Sequence, residues 1–199
     1  MWMQTFWSHL SETGTAGFVI GNGAMTSNSK GEGNVRKFMV DNNMIDCIVR
    51  MPDKLFLTTG IPAALFFLSK NHNGLNGTHR NRSNEILFID ASKLGEMATR
   101  RLRVYTDADI QKIAGVYHKW RTQGEKYEDI AGFCKAATLE EVKANDYKLT
   151  PGIYVGTEDV EDDGIPFEEK MVVLKSRLKE QFEKSNELQE RILKNLNDL

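Results

Sequence analysis

A chain of 199 residues, 40% of them hydrophobic, is long enough for one domain with an appendage. Its net charge of −2 excludes a molecule that holds nucleic acid by bulk positive charge. Two cysteines with no C-x-x-C pair, and four histidines (His9, His72, His79, His118) without ligand spacing, exclude a disulfide framework and a structural metal.

No apolar run approaches the roughly 20 residues that cross a bilayer, and no signal-peptide pattern opens the sequence. A cytoplasmic protein without membrane contact is expected. The average charge hides a split: residues 69–126 hold eleven Lys/Arg and six Asp/Glu, whereas residues 156–169 hold seven acidic residues and no basic one.

The opening MWMQTFWSHLS places Met3, Phe6, Trp7 and Leu10 on one helical face. Gly14 suits that helix's C-terminal cap, and residues 16–20 read as a short strand ended by the Asn22-Gly23 turn. GNVRKFMVDNN is helical, with Val35, Phe38 and Met39 on one side. It feeds the β-branched run MIDCIVRM, in which Cys47 reads as a buried small hydrophobe. A turn-like loop with Phe56 follows, then the apolar strand over 63–68.

Helices alternating with buried strands predict an α/β fold with an open, mostly parallel, doubly wound sheet. The two strands around the Phe56 loop are too closely linked for a helical crossover. They are expected as an antiparallel hairpin at the sheet's edge.

NHNGLNGTHRNRSNE, 71–85, is a polar, turn-rich insertion, and ILFIDAS, 86–92, is one more strand. TDADIQKIAGVYHKWR is a helix with Thr106 as N-cap, Asp107 and Asp109 at its positive end, and Ile110, Ile113, Ala114 and Tyr117 as its stripe. NDYKLTPGIYV, 145–155, reads as extended and turn-rich, and GTEDVEDDG as an acidic linker. From Pro166 to Leu199 the chain predicts one long helix. Met171, Leu174, Leu178, Leu188, Ile192 and Leu199 make a heptad seam, interrupted at Gln181, Ser185 and Asn195. Four segments result: 1–92, 93–155, 156–165 and 166–199.

The order TGTAGFVIGNGAM, DNNMIDCIVRMPDKLFLTTGIPAALFFLSK, ILFIDAS, NDYKLTPGIYV closely resembles the modification subunit of type I restriction-modification systems. Those subunits are S-adenosylmethionine-dependent DNA adenine-N6 methyltransferases. The resemblance runs to about residue 155, with the terminal helix as an extension. It implies part of a Rossmann-like methyltransferase sheet. In the family, a Gly-rich donor loop and an Asn-Pro-Pro-aromatic tetrapeptide come before these motifs, and no Asn-Pro-Pro occurs in this sequence. GNGAM and GEGN lack the acidic strand end that precedes a donor loop. The resemblance therefore implies the C-terminal part of a longer enzyme, or a truncated reading frame. Such a chain has no catalytic residue of its own, no donor bound in isolation and no methyl transfer alone.

Adenine N6 lies inside the duplex, so the base must be rotated out and held. In related adenine methyltransferases an aromatic on the loop before the last hairpin strand stacks on that base. The resemblance gives this role to Phe56; read without it, Phe56 plugs the core under a loop. Asn22, Thr58, Thr59, Gly60 and Pro62 are candidate loop support. Arg80, Arg82, Arg100, Arg101 and Arg103 read either as phosphate contacts or as a solvated face. The implied partners are DNA, and a specificity subunit and a second modification subunit reached through 166–199. A homodimeric coil competes for that helix. A different class of function is a non-catalytic assembly module that binds a specificity subunit or DNA.

Overall fold

The computed structural model describes residues 2–74, 77–158 and 166–197. It divides into two compact units, Met1–Glu158 and Asp159–Leu199. The first contains α1 (Trp2–His9), β1 (Thr15–Gly21), α2 (Glu32–Asp41), β2 (Ile45–Arg50), β3 (Ala63–Ser69), β4 (Glu85–Asp90), β5 (Glu96–Met97), β6 (Arg103–Val104), α3 (Asp107–Arg121), β7 (Cys134–Thr138), α4 (Leu139–Ala144) and α5 (Pro151–Tyr154). The second contains α6 (Phe167–Asn197).

Five strands form one open sheet in the order β1-β3-β2-β4-β7. β2 and β4 read as nearly continuous apolar runs, and both are buried on two faces, as interior strands require. β1 alternates between exposed and half-buried residues, the mark of an edge. The α/β class and the open sheet match the expectation, but the strand directions are mixed rather than mostly parallel. β2 pairs with β4 in parallel, whereas β1–β3, β2–β3 and β4–β7 are antiparallel. The hairpin partner β3 is not at the edge either. It runs between β1 and β2, matching β1 over its whole length from Thr15↔Ser69 to Gly21↔Ala63. A strand as apolar as AALFFLS gains most where both faces are covered, and the interior position covers them.

The period of two sorts the side chains into two cores. Ile48, Ile86 and Phe88 point to the face packed by Met39, Val40, Val142 and Tyr154. Cys47, Val49, Leu87 and Ile89 point to the other, with Trp120 and Phe133 and the α3 residues Ile113, Val116 and Tyr117. Cys47 is fully buried, and that desolvation holds its thiol well above the usual range. On the first face Phe6 stacks on Phe18 at 5.1 Å, Phe18 on Phe66 at 5.9 Å, and Phe88 on Tyr154 at 4.0 Å.

Local signals explain the helices. Thr106 caps α3 by accepting from the Asp109 amide, and the Asp109 carboxylate accepts from the Thr106 amide in return. Thr138 and Glu141 repeat that box at α4. The segment over 145–155 is not extended: Asp146 and Tyr147 turn through left-handed backbone, and Pro151 opens the short helix α5. Arg36, 4% exposed, ties this turn to the loop after β1. Its guanidinium donates to the Tyr147 carbonyl (3.3 Å), the Asn28 side chain (2.7 Å) and the Ser27 carbonyl.

α6 has 31 residues, about 46 Å of helix. Leu174, Leu178, Leu188 and Ile192 of its seam are all at least half exposed. Among the described residues of this unit nothing covers the seam. Leu199 and the acidic residues 159–163 lie outside the described residues.

Candidate functional site

β1, β2 and β4 end on the same margin of the sheet, at Gly21, Arg50 and Asp90. Ligands of open α/β sheets sit beyond such carboxyl ends. Arg50 and Asp90 are register partners, and Arg50 Nη1 donates to Asp90 Oδ2 at 3.1 Å. The other carboxylate oxygen accepts from the Ser92 amide at 3.0 Å. The first turn of α5 lies close over this pair: a Cβ on Gly152 would stand 3.4 Å from Asp90 Oδ2 and 3.7 Å from Arg50 Nη1. Asn22, just past β1, has a buried side-chain carbonyl oxygen with no protein donor.

Beyond β2 the chain makes a tight turn in which Phe56 and Thr59 form an antiparallel bridge. Phe56 belongs to neither core cluster and is 39% exposed. Leu57, Thr58, Thr59 and Gly60 are exposed, and Pro62 is half-buried. The Thr59 hydroxyl accepts from the Ile61 amide at 3.1 Å and braces the turn.

The hairpin β5–β6 is anchored to this loop. The Arg103 amide donates to the Lys54 carbonyl at 2.8 Å, and Arg103 Nη1 donates to the Gly95 carbonyl at 2.8 Å. Arg103 Nε lies 3.8 Å from Asp53 Oδ1. Arg103 is therefore committed to holding the hairpin. Arg100 and Arg101 project from the exposed tip, where the Thr99 hydroxyl accepts from the Arg101 and Leu102 amides at 3.2 and 3.1 Å.

Arg82 does not join them. It is fully buried at the opposite margin, with Nε and Nη2 donating to Asp46 Oδ1 at 3.1 and 3.0 Å. A buried guanidinium already held by a buried carboxylate cannot reach a phosphate. Arg80 is likewise taken, by Glu85, by the Trp120 carbonyl and by the Trp120 ring at 5.2 Å. The five arginines of the basic stretch thus divide into the buried Arg82, the partly exposed Arg80 held by its neighbours, Arg103 at the base of the hairpin, and Arg100 and Arg101 at its exposed tip.

Sequence reasoning missed the inner network. Tyr117 donates its hydroxyl to Asp46 Oδ2 at 2.7 Å, and burial pushes that hydroxyl far above its ordinary pKa. His72, 4% exposed, places Nδ1 3.7 Å from Asp46 Oδ1, and desolvation lowers its pKa below 6.5. The available signal was Asp46 itself, a lone carboxylate inside an apolar strand. Among the described residues no group of three or more His, Cys, Asp or Glu could hold a metal, and no helix is long and apolar enough to cross a membrane.

A family model described as N-6 DNA methylase matches residues 1–163. The type I restriction enzyme HindI methylase subunit of Haemophilus influenzae is 48% identical over 198 residues, covering 100% of this chain and 43% of that protein. The type I restriction enzyme MjaIX methylase subunit of Methanocaldococcus jannaschii is 36% identical over 194 residues, covering 96% and 33%. The crystal structure of a type I restriction-modification methyltransferase subunit from Streptococcus thermophilus is similar with a TM-score of 0.63 at 31% identity, over 76% of this chain and 28% of that one. The chain therefore spans less than half the length of the curated relatives it matches. On the match over most of its length, the chain belongs to the N-6 DNA methylase family.

Proposed function

We propose that this chain supplies the adenine-stacking margin of an S-adenosylmethionine-dependent DNA adenine-N6 methyltransferase within a type I restriction-modification system. The observation that carries the reading is Phe56, half out in solvent on a braced turn beyond the carboxyl ends of β2 and β4. An adenine rotated out of the duplex needs a flat apolar surface, and stacking on one is worth about 1–3 kcal/mol. Thr58, Thr59, Gly60 and Pro62 shape the turn. Asn22 offers a free acceptor at the neighbouring strand end. Arg100 and Arg101 meet backbone phosphates, with Arg103 holding their hairpin.

The tetrapeptide that would accept hydrogen bonds from the adenine amine does not occur in these 199 residues. Methyl transfer and donor binding then depend on further polypeptide. Among the described residues β1 pairs with β3 alone, so its outer side can accept strands that carry those motifs. The apolar seam of α6 suits a helix of a specificity subunit; the HindI relative is itself named as a subunit. The cytoplasm, where DNA is reached, is the expected compartment.

A second reading, an assembly module without chemistry, draws on that uncovered seam alone. Two measurements test the proposal, and the dependence of methylation on Phe56 separates it from the module. Transfer of a labelled methyl group to DNA is expected from the assembled enzyme containing this chain and not from the chain by itself. Calorimetry of the isolated chain with S-adenosylmethionine is expected to give no heat. A micromolar or tighter donor constant for the isolated chain, or methylation by it, would defeat the proposal. An assembly whose methylation is indifferent to Phe56 would favour the module.

A further inference from the structure

Leu57 is 88% exposed, more than any other large apolar side chain among the described residues. A leucine placed in water forgoes about 1.5–3 kcal/mol of burial. Its neighbour Ile61 is 67% exposed. The turn that carries both is rigid, because the Phe56–Thr59 bridge closes it and the Thr59 hydroxyl holds the Ile61 amide. Cations lie close to it. Lys54 lays its stem along Gly60, where a Cβ would meet Lys54 Cγ at 3.8 Å. Arg101 stands two residues from the Arg103 amide that bonds to Lys54, a reach of about 7 Å at most. Arg100 is one residue further along the tip.

An apolar point on a loop that also carries Lys54 and is bonded to the Arg100–Arg103 hairpin is complementary to nucleic acid, whose stacked bases are apolar and whose rails are anionic. A hydrophobic protein partner would gain nothing from the cations. We propose that Leu57 is a wedge that enters the base stack and fills the gap left by the extruded nucleotide. Leucine is among the apolar side chains that proteins frequently insert between base steps to unstack and kink DNA. The proposal rests on the DNA reading above and adds a division of labour to it. Phe56 holds the base outside the helix, and the next residue replaces it inside. A braced turn suits that task, since the wedge loses little freedom on insertion.

A short duplex with one abasic site presents the gap ready-made and has no base to extrude there. In fluorescence anisotropy the chain is expected to bind this duplex about tenfold more tightly than an intact one of the same sequence. Leu57→Ala should bring the two affinities to near parity, and Leu57→Met should keep the preference. Circular dichroism checks that the variants fold, which so exposed a position favours. Salt-sensitive binding with no abasic preference, or with a preference that Leu57→Ala leaves intact, overturns the wedge while the DNA reading stands. No binding to either duplex overturns the wedge, and methylation by the assembled enzyme then decides the DNA reading separately. Capture of a protein subunit that depends on Leu57, with no abasic preference, makes the turn a protein contact instead.

Discussion

Tyr117 on α3 and Asp46 on β2, 71 residues apart, share one hydrogen bond of 2.7 Å in the interior. Arg82 occupies the other carboxylate oxygen through two nitrogens. Together they fasten the segment after β3, the first residues of β2 and the last turns of α3. Arg82→Ala leaves Asp46 buried without its counter-charge and is expected to cost about 3–5 kcal/mol in urea unfolding. Tyr117→Phe removes only the hydroxyl and should cost about 1–3 kcal/mol.

His72 makes stability depend on pH. Burial lowers its pKa below the ordinary 6.5, with Asp46 opposing and Arg82 reinforcing the shift. Below 6.5 the unfolded chain binds more protons than the folded one, so stability falls as the solution is acidified through that window. The melting temperature should be lower at about pH 5.5 than at about pH 7.5. In His72→Leu the difference should shrink without vanishing, because burial also lowers the pKa of His79.

The stacking role proposed for Phe56 depends on shape rather than bulk. In the assembled enzyme Phe56→Ala should weaken both DNA binding and methylation, by about 1–3 kcal/mol in binding. Phe56→Trp keeps a flat ring and should retain much of both. Equal losses in the two variants would contradict stacking.

Arg100 and Arg101 are read out by salt. If each neutralises one phosphate, Arg100→Ala with Arg101→Ala should reduce the slope of log K against log salt by about two. It should weaken all duplexes alike, because phosphate contacts carry no sequence information. Binding titrations at several ionic strengths measure both.

The seam of α6 predicts assembly. Leu178→Asp with Leu188→Asp puts charge on a face that is half exposed at both positions. The pair should abolish co-purification with a specificity subunit while leaving the melting of the Met1–Glu158 unit unchanged. Retained co-purification would remove the helix from that role.

Much of the fold was legible because local signals agreed with it. The apolar runs of β2, β3 and β4, and the Thr106–Asp109 pair that caps α3, each favour locally the element found there. The position of β3 was not legible, since a short loop predicts the pairing of two strands and says nothing of a third that joins from the other side. α5 was hidden because Pro151 and Gly152 look like turn residues. β7 was hidden because CKAAT has neither β-branched density nor alternation. At the site, Phe56 could be singled out from its loop. The arginines could not be sorted: Arg82 and Arg100 are written alike, and only the distant Asp46 makes one of them internal.

The bare flank of β1 has a practical consequence. Seven residues without lysine or proline, with Val19 52% exposed, form an edge on which no strand pairs among the described residues. Such an edge recruits identical edges. Concentrated stocks of the isolated polypeptide should slowly build intermolecular β-ribbons and cloud. Val19→Lys, which plants a charge along that flank, should keep them clear.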